Sequence, residues 1–95
     1  GTSGDFSGVR LRKGFTPASG TATYSAINIS NTINQTGGAT GITRGLYVNP
    51  SIVVAADFRA IETTAGKIVF GGLPTSSAGL PTGALWNNSG VINIV

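Results

Sequence analysis

FRAIETTAGKIVF, residues 58–70, is the stretch on which the expected fold depends most. Two runs rich in β-branched and aromatic residues stand on either side of Ala65 and Gly66, and glycine can adopt the positive φ that a tight turn requires. This arrangement predicts a β-hairpin over residues 58–70, and it is the strongest hairpin pattern in the chain.

The apolar run that overlaps this hairpin, SIVVAADFRAIETT at residues 51–64, is compatible with a helix or a strand. Its alanines favour a helix. The β-branched Ile52, Val53 and Val54 are stiff at χ1 and suit a pleated surface better, so we predict a strand.

Two further segments alternate with a period of two residues, as half-buried strands do. Residues 21–30 (TATYSAINIS) place Ile27 and Ile29 on one face, and residues 42–48 (ITRGLYV) alternate until Asn49-Pro50 ends them. The Asn-, Thr- and Gly-rich residues 31–41 predict a loop between them.

The C-terminal quarter combines an extended connection with a second hairpin. Gly-Leu-Pro-Thr occurs at residues 72–75 and again at 79–82, and prolines at this spacing exclude a regular helix or central strand. The expected organisation is therefore one all-β domain over residues 1–95, with a lead-in segment at 1–20, a strand and hairpin region at 21–70, an extended connector at 71–83, and a C-terminal hairpin at 84–95.

Composition indicates how such a chain is stabilised. Charged residues make up 9% of the sequence, against about 25% in an ordinary soluble domain. Ile, Val and Thr occupy 28 positions, and there is no cysteine to form a disulfide. A small chain with a weakly charged surface and no disulfide depends on association with copies of itself. We therefore expect an assembly of identical chains.

The residues for catalysis are scarce, and we expect no enzyme activity. Histidine and cysteine are absent, which removes the common nucleophile pairs and transition-metal ligands, so neither a metal site nor a cofactor is expected. The carboxylates are Asp5, Asp57 and Glu62. The last two are five residues apart, on opposite faces of an extended strand, and are expected to pair with Arg44, Arg59 or Lys67.

Other partners are equally constrained. The net charge is +3, with one basic cluster at residues 10–13, which is too little for a nucleic-acid footprint. No apolar run of 18 or more residues predicts membrane insertion, and no signal peptide is recognisable. Since residue 1 is not methionine, we expect a fragment or a processed product.

One grouping could recognise a ligand. Trp86 offers an indole face on which a sugar ring can stack, and Asn87 and Asn88 offer amides for its hydroxyl groups; Tyr47 is a second candidate platform. The alternative role of all of these aromatic side chains is packing in a core or a subunit interface.

The sequence from Thr36 to Phe70 resembles a segment of tail-fibre or tail-tip proteins of phages and prophages that infect Bacteroidetes-type bacteria. Residues 72–95 (GLPTSSAGLPTGALWNNSGVINIV) are similar to the C-terminus of many phage tail and fibre proteins. Together the two stretches cover roughly two thirds of the chain, and the first 35 residues carry no resemblance.

The resemblance implies an elongated, intertwined, trimeric β-structure on the outside of a virion, next to other virion proteins and in contact with a host-surface glycan. No functional residue can be carried over from it. Two alternatives remain open: a monomeric carbohydrate-binding β-sandwich from a larger secreted protein, with Trp86 and Tyr47 as platforms, and the non-catalytic C-terminal part of a depolymerase tailspike.

Overall fold

The computed structural model describes residue 4 and residues 6–95. This part of the chain contains no helix, and its regular structure is one antiparallel sheet of two strands, β1 (Leu85–Asn88) and β2 (Val91–Ile94). The expectation of a non-helical chain whose regular structure is β is confirmed at this level. Among the described residues there is no helix long and apolar enough to cross a membrane.

The chain divides into two units, Gly1–Ser51 and Ile52–Val95. Each is described by itself below. The first is held by side-chain contacts and one turn, and the second contains β1 and β2.

The hairpin of β1 and β2 is set by its two-residue turn. Ser89 has a φ of 53° and Gly90 a φ of 94°, the combination of a type I′ turn, whose twist matches that of paired strands. The Oδ1 atom of Asn87 accepts a hydrogen bond of 2.7 Å from the amide of Gly90, which holds the turn. The strands pair in the register Leu85 with Ile94, Trp86 with Asn93, Asn87 with Ile92, and Asn88 with Val91.

Backbone hydrogen bonds tie this hairpin to the connector before it. The amide of Val95 donates to the carbonyl of Ala84 (3.0 Å), and the amide of Gly83 donates to the carbonyl of Val95 (2.9 Å). The amide of Asn87 donates to the carbonyl of Pro74 (2.8 Å), so the connector lies along the outer edge of β1. The half-buried side chains among the described residues all belong to this region: Leu73, Leu80, Ala84, Leu85, Trp86 and Asn93.

The hairpin predicted over residues 58–70 is wrong for the chain as the structure describes it. Gly66 does adopt a positive φ of 95°, as the turn requires, but the flanking residues form no paired strands. The backbone bends at residues 56–57 and again at 60–61, and Arg59 pairs with Asp57 and Glu62. These local pairs suit a bent segment, since Asp57 and Glu62 would lie on opposite faces of an extended strand, where Arg59 could not bond both.

The strands predicted over residues 21–30, 42–48 and 51–64 are also not paired in the described chain, and neither is a strand in the lead-in segment. Strands with an alternating pattern need hydrogen-bond partners and a cover for their apolar face. This single chain has the alternating pattern in these segments, but its described residues contain no strand that pairs with them.

The large hydrophobic side chains lie mostly on the surface. No described residue is buried, and Val53 and Val54 are 91% and 90% exposed. The accessible surface of the chain is 9163 Å². A compact monomer of this mass exposes about 5,000 Å², so the chain leaves about 4,000 Å² more surface open than a folded domain of its size.

Candidate functional site on the C-terminal hairpin

The register of the hairpin separates its side chains into two faces. Residues that are paired across two strands point to the same side, and successive residues along a strand point to opposite sides. Trp86, Asn88, Val91 and Asn93 therefore share one face, here called the Trp86 face. It combines one half-buried indole with two amide side chains.

Asn93 is the residue of this face that sequence reasoning missed. It pairs directly with Trp86 across the strands and is half-buried. A two-residue turn at Ser89 and Gly90 fixes this pairing by simple counting, so the sequence carried the signal once the turn was placed at those two residues.

The Oδ1 atom of Asn93 is shielded from solvent and accepts no hydrogen bond from any described residue. An acceptor in this condition costs about 1–3 kcal/mol unless a donor reaches it. Because this atom is closed to water, a donor from outside can bond it only if the Asn93 side chain rotates.

Asn87, the second predicted site residue, lies on the opposite face together with Leu85, Ile92 and Ile94. Its side-chain oxygen is engaged by the amide of Gly90 and its backbone amide by the carbonyl of Pro74. The structure therefore brings Asn88 to the same face as Trp86 and assigns Asn87 to the geometry of the hairpin.

Tyr47, the remaining predicted residue, lies in the unit Gly1–Ser51 and is 59% exposed. The guanidinium carbon of Arg44 lies 4.0 Å from the centre of its ring, a cation–π contact. In the same unit the rings of Phe15 and Tyr24 stack with their centres 5.1 Å apart. One face of Tyr47 is thus occupied by Arg44.

An open groove in the same unit lies between residues 29–33 and 43–45. Its lining residues are all exposed, and they combine isoleucine side chains with Asn, Thr and Arg44. None of the side chains that line this groove is a carboxylate.

Asp57 and Glu62 both pair with Arg59. Arg59 donates to Asp57 through Nη2 (2.9 Å) and Nε (3.3 Å), and to Glu62 through Nη1, which confirms the predicted pairing with Arg59. These bonds, first to Asp57 and then to Glu62, raise the pKa of Arg59 above its ordinary value. Asp5 lies outside the described residues. In the described part of the chain no three acidic side chains meet in a group that could hold a metal ion.

Comparison with protein-family models, with curated proteins and with solved structures found no match to this chain. The resemblance to tail-fibre segments therefore stays an expectation from the sequence.

Proposed function

We propose that this chain is a structural segment of a phage tail fibre or a related virion appendage, that it forms a homotrimer, and that it takes part in host attachment without catalysing a reaction. In this proposal the protein is extracellular and lies on the virion, beside other virion proteins. The virion part of the proposal depends on the resemblance of residues 36–70 and 72–95 to tail-fibre sequences.

One observation carries the trimer: hydrophobic residues make up 40% of the chain, and the structure leaves their large side chains exposed. Each large aliphatic side chain gains about 1.5–3 kcal/mol when it is taken out of water. A chain that cannot bury these side chains internally gains that free energy by packing them against other chains.

The amount of surface agrees with an obligate assembly. The surplus of about 4,000 Å² per chain is compatible with contacts to two neighbours, as in a trimer, because two obligate interfaces bury about 2,000–5,000 Å² of each chain. Low charge supports the same conclusion, since 9% charged residues leave little repulsion between copies.

The attachment role is supported by the Trp86 face. An indole ring beside the amides of Asn88 and Asn93 is the kind of surface that stacks on a sugar ring and bonds its hydroxyl groups. We expect a host-surface glycan as the ligand. A Trp86→Ala variant should lose binding on a glycan array or to host cells, with Ile94→Thr as the control, since the exposed Ile94 side chain lies on the opposite face.

The two alternatives receive less support. A monomeric β-sandwich requires two sheets with a packed interior, whereas the described residues contain one two-stranded sheet and no buried side chain. The C-terminal part of a depolymerase tailspike is compatible with this chain, and polysaccharide cleavage by the full-length protein would favour it.

The decisive experiment is the mass of the full chain in solution by light scattering. The proposal expects about three times 9.5 kDa. A well-folded species at the monomer mass would refute the trimer.

A further inference from the structure

The two outer edges of the C-terminal hairpin differ in whether their outward backbone N–H and C=O groups have hydrogen-bond partners. In an antiparallel pair, hydrogen-bonded positions alternate with positions whose backbone groups point outward. The bond from Val95 to Ala84 fixes this alternation, so that Trp86 and Asn93 bond each other across the strands. Ile92 and Ile94 consequently direct their N–H and C=O groups away from β1.

The outer edge of β1 already has a partner. The outward amide of Asn87 donates to the carbonyl of Pro74 at 2.8 Å, and the connector containing Pro74 lies along this edge. A second chain cannot pair there without displacing the connector.

The outer edge of β2 has no such cover within the unit Ile52–Val95. The outward backbone groups of Ile92 and Ile94 have no hydrogen-bond partner among the described residues, and their side chains are 57% and 69% exposed. An edge with unpaired N–H and C=O groups is a template for another strand.

This edge also lacks the features that keep exposed strands apart. Proteins protect free edges with charged residues, prolines or bulges. β2 consists of Val, Ile, Asn and Ile, and residues 71–95 contain no Lys, Arg, Asp or Glu. The edge favours pairing and carries no charge that would select a partner of opposite sign.

We propose that the outer edge of β2, at Ile92 and Ile94, pairs with a strand from a second copy of this chain. The inference deepens the proposed function and rests on its self-association. The copy is the indicated occupant because the same chain contains alternating segments, at residues 21–30 and 42–48, whose strand pattern has no partner within it. The open surface of about 4,000 Å² provides the area for such contacts.

The pairing has a defined direction within an assembly. Because the proposed trimer has no two-fold axis, the β2 edge of one copy meets a different segment of the next copy and not its β2 edge. Such a head-to-tail contact closes into a ring when the rotation between copies permits it, which is the geometry of a trimer.

Residue-resolved amide hydrogen exchange of the full chain tests the pairing directly. The amides of Asn93 and Val95 bond inside the hairpin and should exchange slowly in both the dilute and the assembled protein. The outward amides of Ile92 and Ile94 should exchange at least about tenfold more slowly in the assembled protein than in the dilute protein.

The outcomes separate this inference from the proposed function. If the chain assembles and the amides of Ile92 and Ile94 still exchange as fast as in the dilute protein, the edge pairing is wrong and self-association stands. If light scattering detects no assembly at any concentration, both fall.

A pair of variants at one position separates backbone pairing from side-chain burial. Ile92→Pro removes the outward N–H group and no hydrogen bond of the hairpin, since edge positions of this kind tolerate proline. Ile92→Thr removes apolar surface and keeps the N–H group. We expect about a tenfold or greater weakening of association for the proline variant and a smaller one for the threonine variant.

Equal weakening by the two variants would contradict pairing through the backbone. The amide of Val95 reports whether the hairpin survives in each variant. If the proline variant loses protection there, the exchange of Ile92 and Ile94 in the unaltered chain decides the question.

Discussion

Two turns in this chain have the same backbone geometry, and only one of them carries strands. In the turn at Thr36–Ala39, Gly37 and Gly38 have φ values of 70° and 79°, and the amide of Ala39 donates to the carbonyl of Thr36 at 3.4 Å. In the turn between β1 and β2, Ser89 and Gly90 have φ values of 53° and 94°. Positive φ at both central residues is the requirement of a type I′ turn, and both turns meet it.

The residues beside the two turns account for the difference. Next to the glycine turn the side chain of Gln35 replaces the backbone ladder: its Nε2 donates to the carbonyl of Gly41 (2.7 Å), and its Oε1 accepts from the hydroxyl of Thr43 (2.9 Å). A side chain that bonds nearby backbone competes with strand pairing, and Gly41 weakens a strand further.

The second turn has flanks that pair and a third segment that supports them. β1 and β2 place Trp86 opposite Asn93, and the connector closes the outer edge of β1 at Asn87. An isolated two-stranded hairpin is marginal in water, so this third segment matters. A turn sets the direction of the chain, whereas the flanks and their cover decide whether a sheet forms.

The largest expected effect comes from disrupting the turn at Ser89 and Gly90, which joins β1 and β2. Gly90→Val places a β-branched side chain at a φ of 94°, which costs about 1–3 kcal/mol and should abolish the hairpin. Hydrogen exchange of the Asn93 and Val95 amides measures the loss. Gly72→Ala is the control, because Gly72 has an ordinary φ and open space around its Cα. Retained protection in the valine variant would contradict the role assigned to the turn.

A smaller effect is expected when Trp86, whose side chain packs on the hairpin of β1 and β2, is replaced. Trp86→Ala should destabilise the hairpin by about 1–2 kcal/mol, because a half-buried indole loses its apolar contacts. Trp86→Phe retains most of that area and should cost less. The measurement is again the opening free energy from hydrogen exchange. If alanine and phenylalanine behave alike, Trp86 does not support the hairpin through packing.

The third effect is a gain. Ser89 occupies the left-handed region, where asparagine is favoured over serine, so Ser89→Asn should stabilise the hairpin by about 0.5 kcal/mol. Ser77→Asn, outside the left-handed region, should leave the hairpin unchanged. A loss of stability in the Ser89 variant would show that the turn is not held as described.

These variants also mark what the sequence could predict. The hairpin over residues 84–95 was predictable, because its turn lies between two short β-rich flanks and its strands are neighbours in the chain. The pairing of Asp57 and Glu62 with Arg59 was predictable for the same reason, since all three are close in sequence.

The hairpin over residues 58–70 failed because a pattern of apolar residues reports which face needs cover and not what covers it. Ile61 and Val69 are 75% and 81% exposed in the single chain. Near Arg59, the local ion pairs and the bent backbone prevailed over the strand pattern. Of the candidate ligand residues on the hairpin, Trp86 and Asn88 share a face and Asn87 does not, whereas Asn93 was missed because its pairing with Trp86 follows only from the register of the two strands.

The last expected effect, no larger than the gain at Ser89, tests whether the Gln35 side chain holds the first turn. Gln35→Ala removes both of its hydrogen bonds and should cost about 0.5 kcal/mol, because all of the groups involved are exposed to water. Gln35→Glu keeps the acceptor for Thr43 and loses the donor to Gly41, so it measures the contribution of the bond to Gly41. The exchange rate of the Ala39 amide, which closes the turn, measures both variants. If that rate does not change in either variant, the glycines alone hold the turn. If it rises in both, the side chain of Gln35 holds this turn in the way that paired strands hold the turn between β1 and β2.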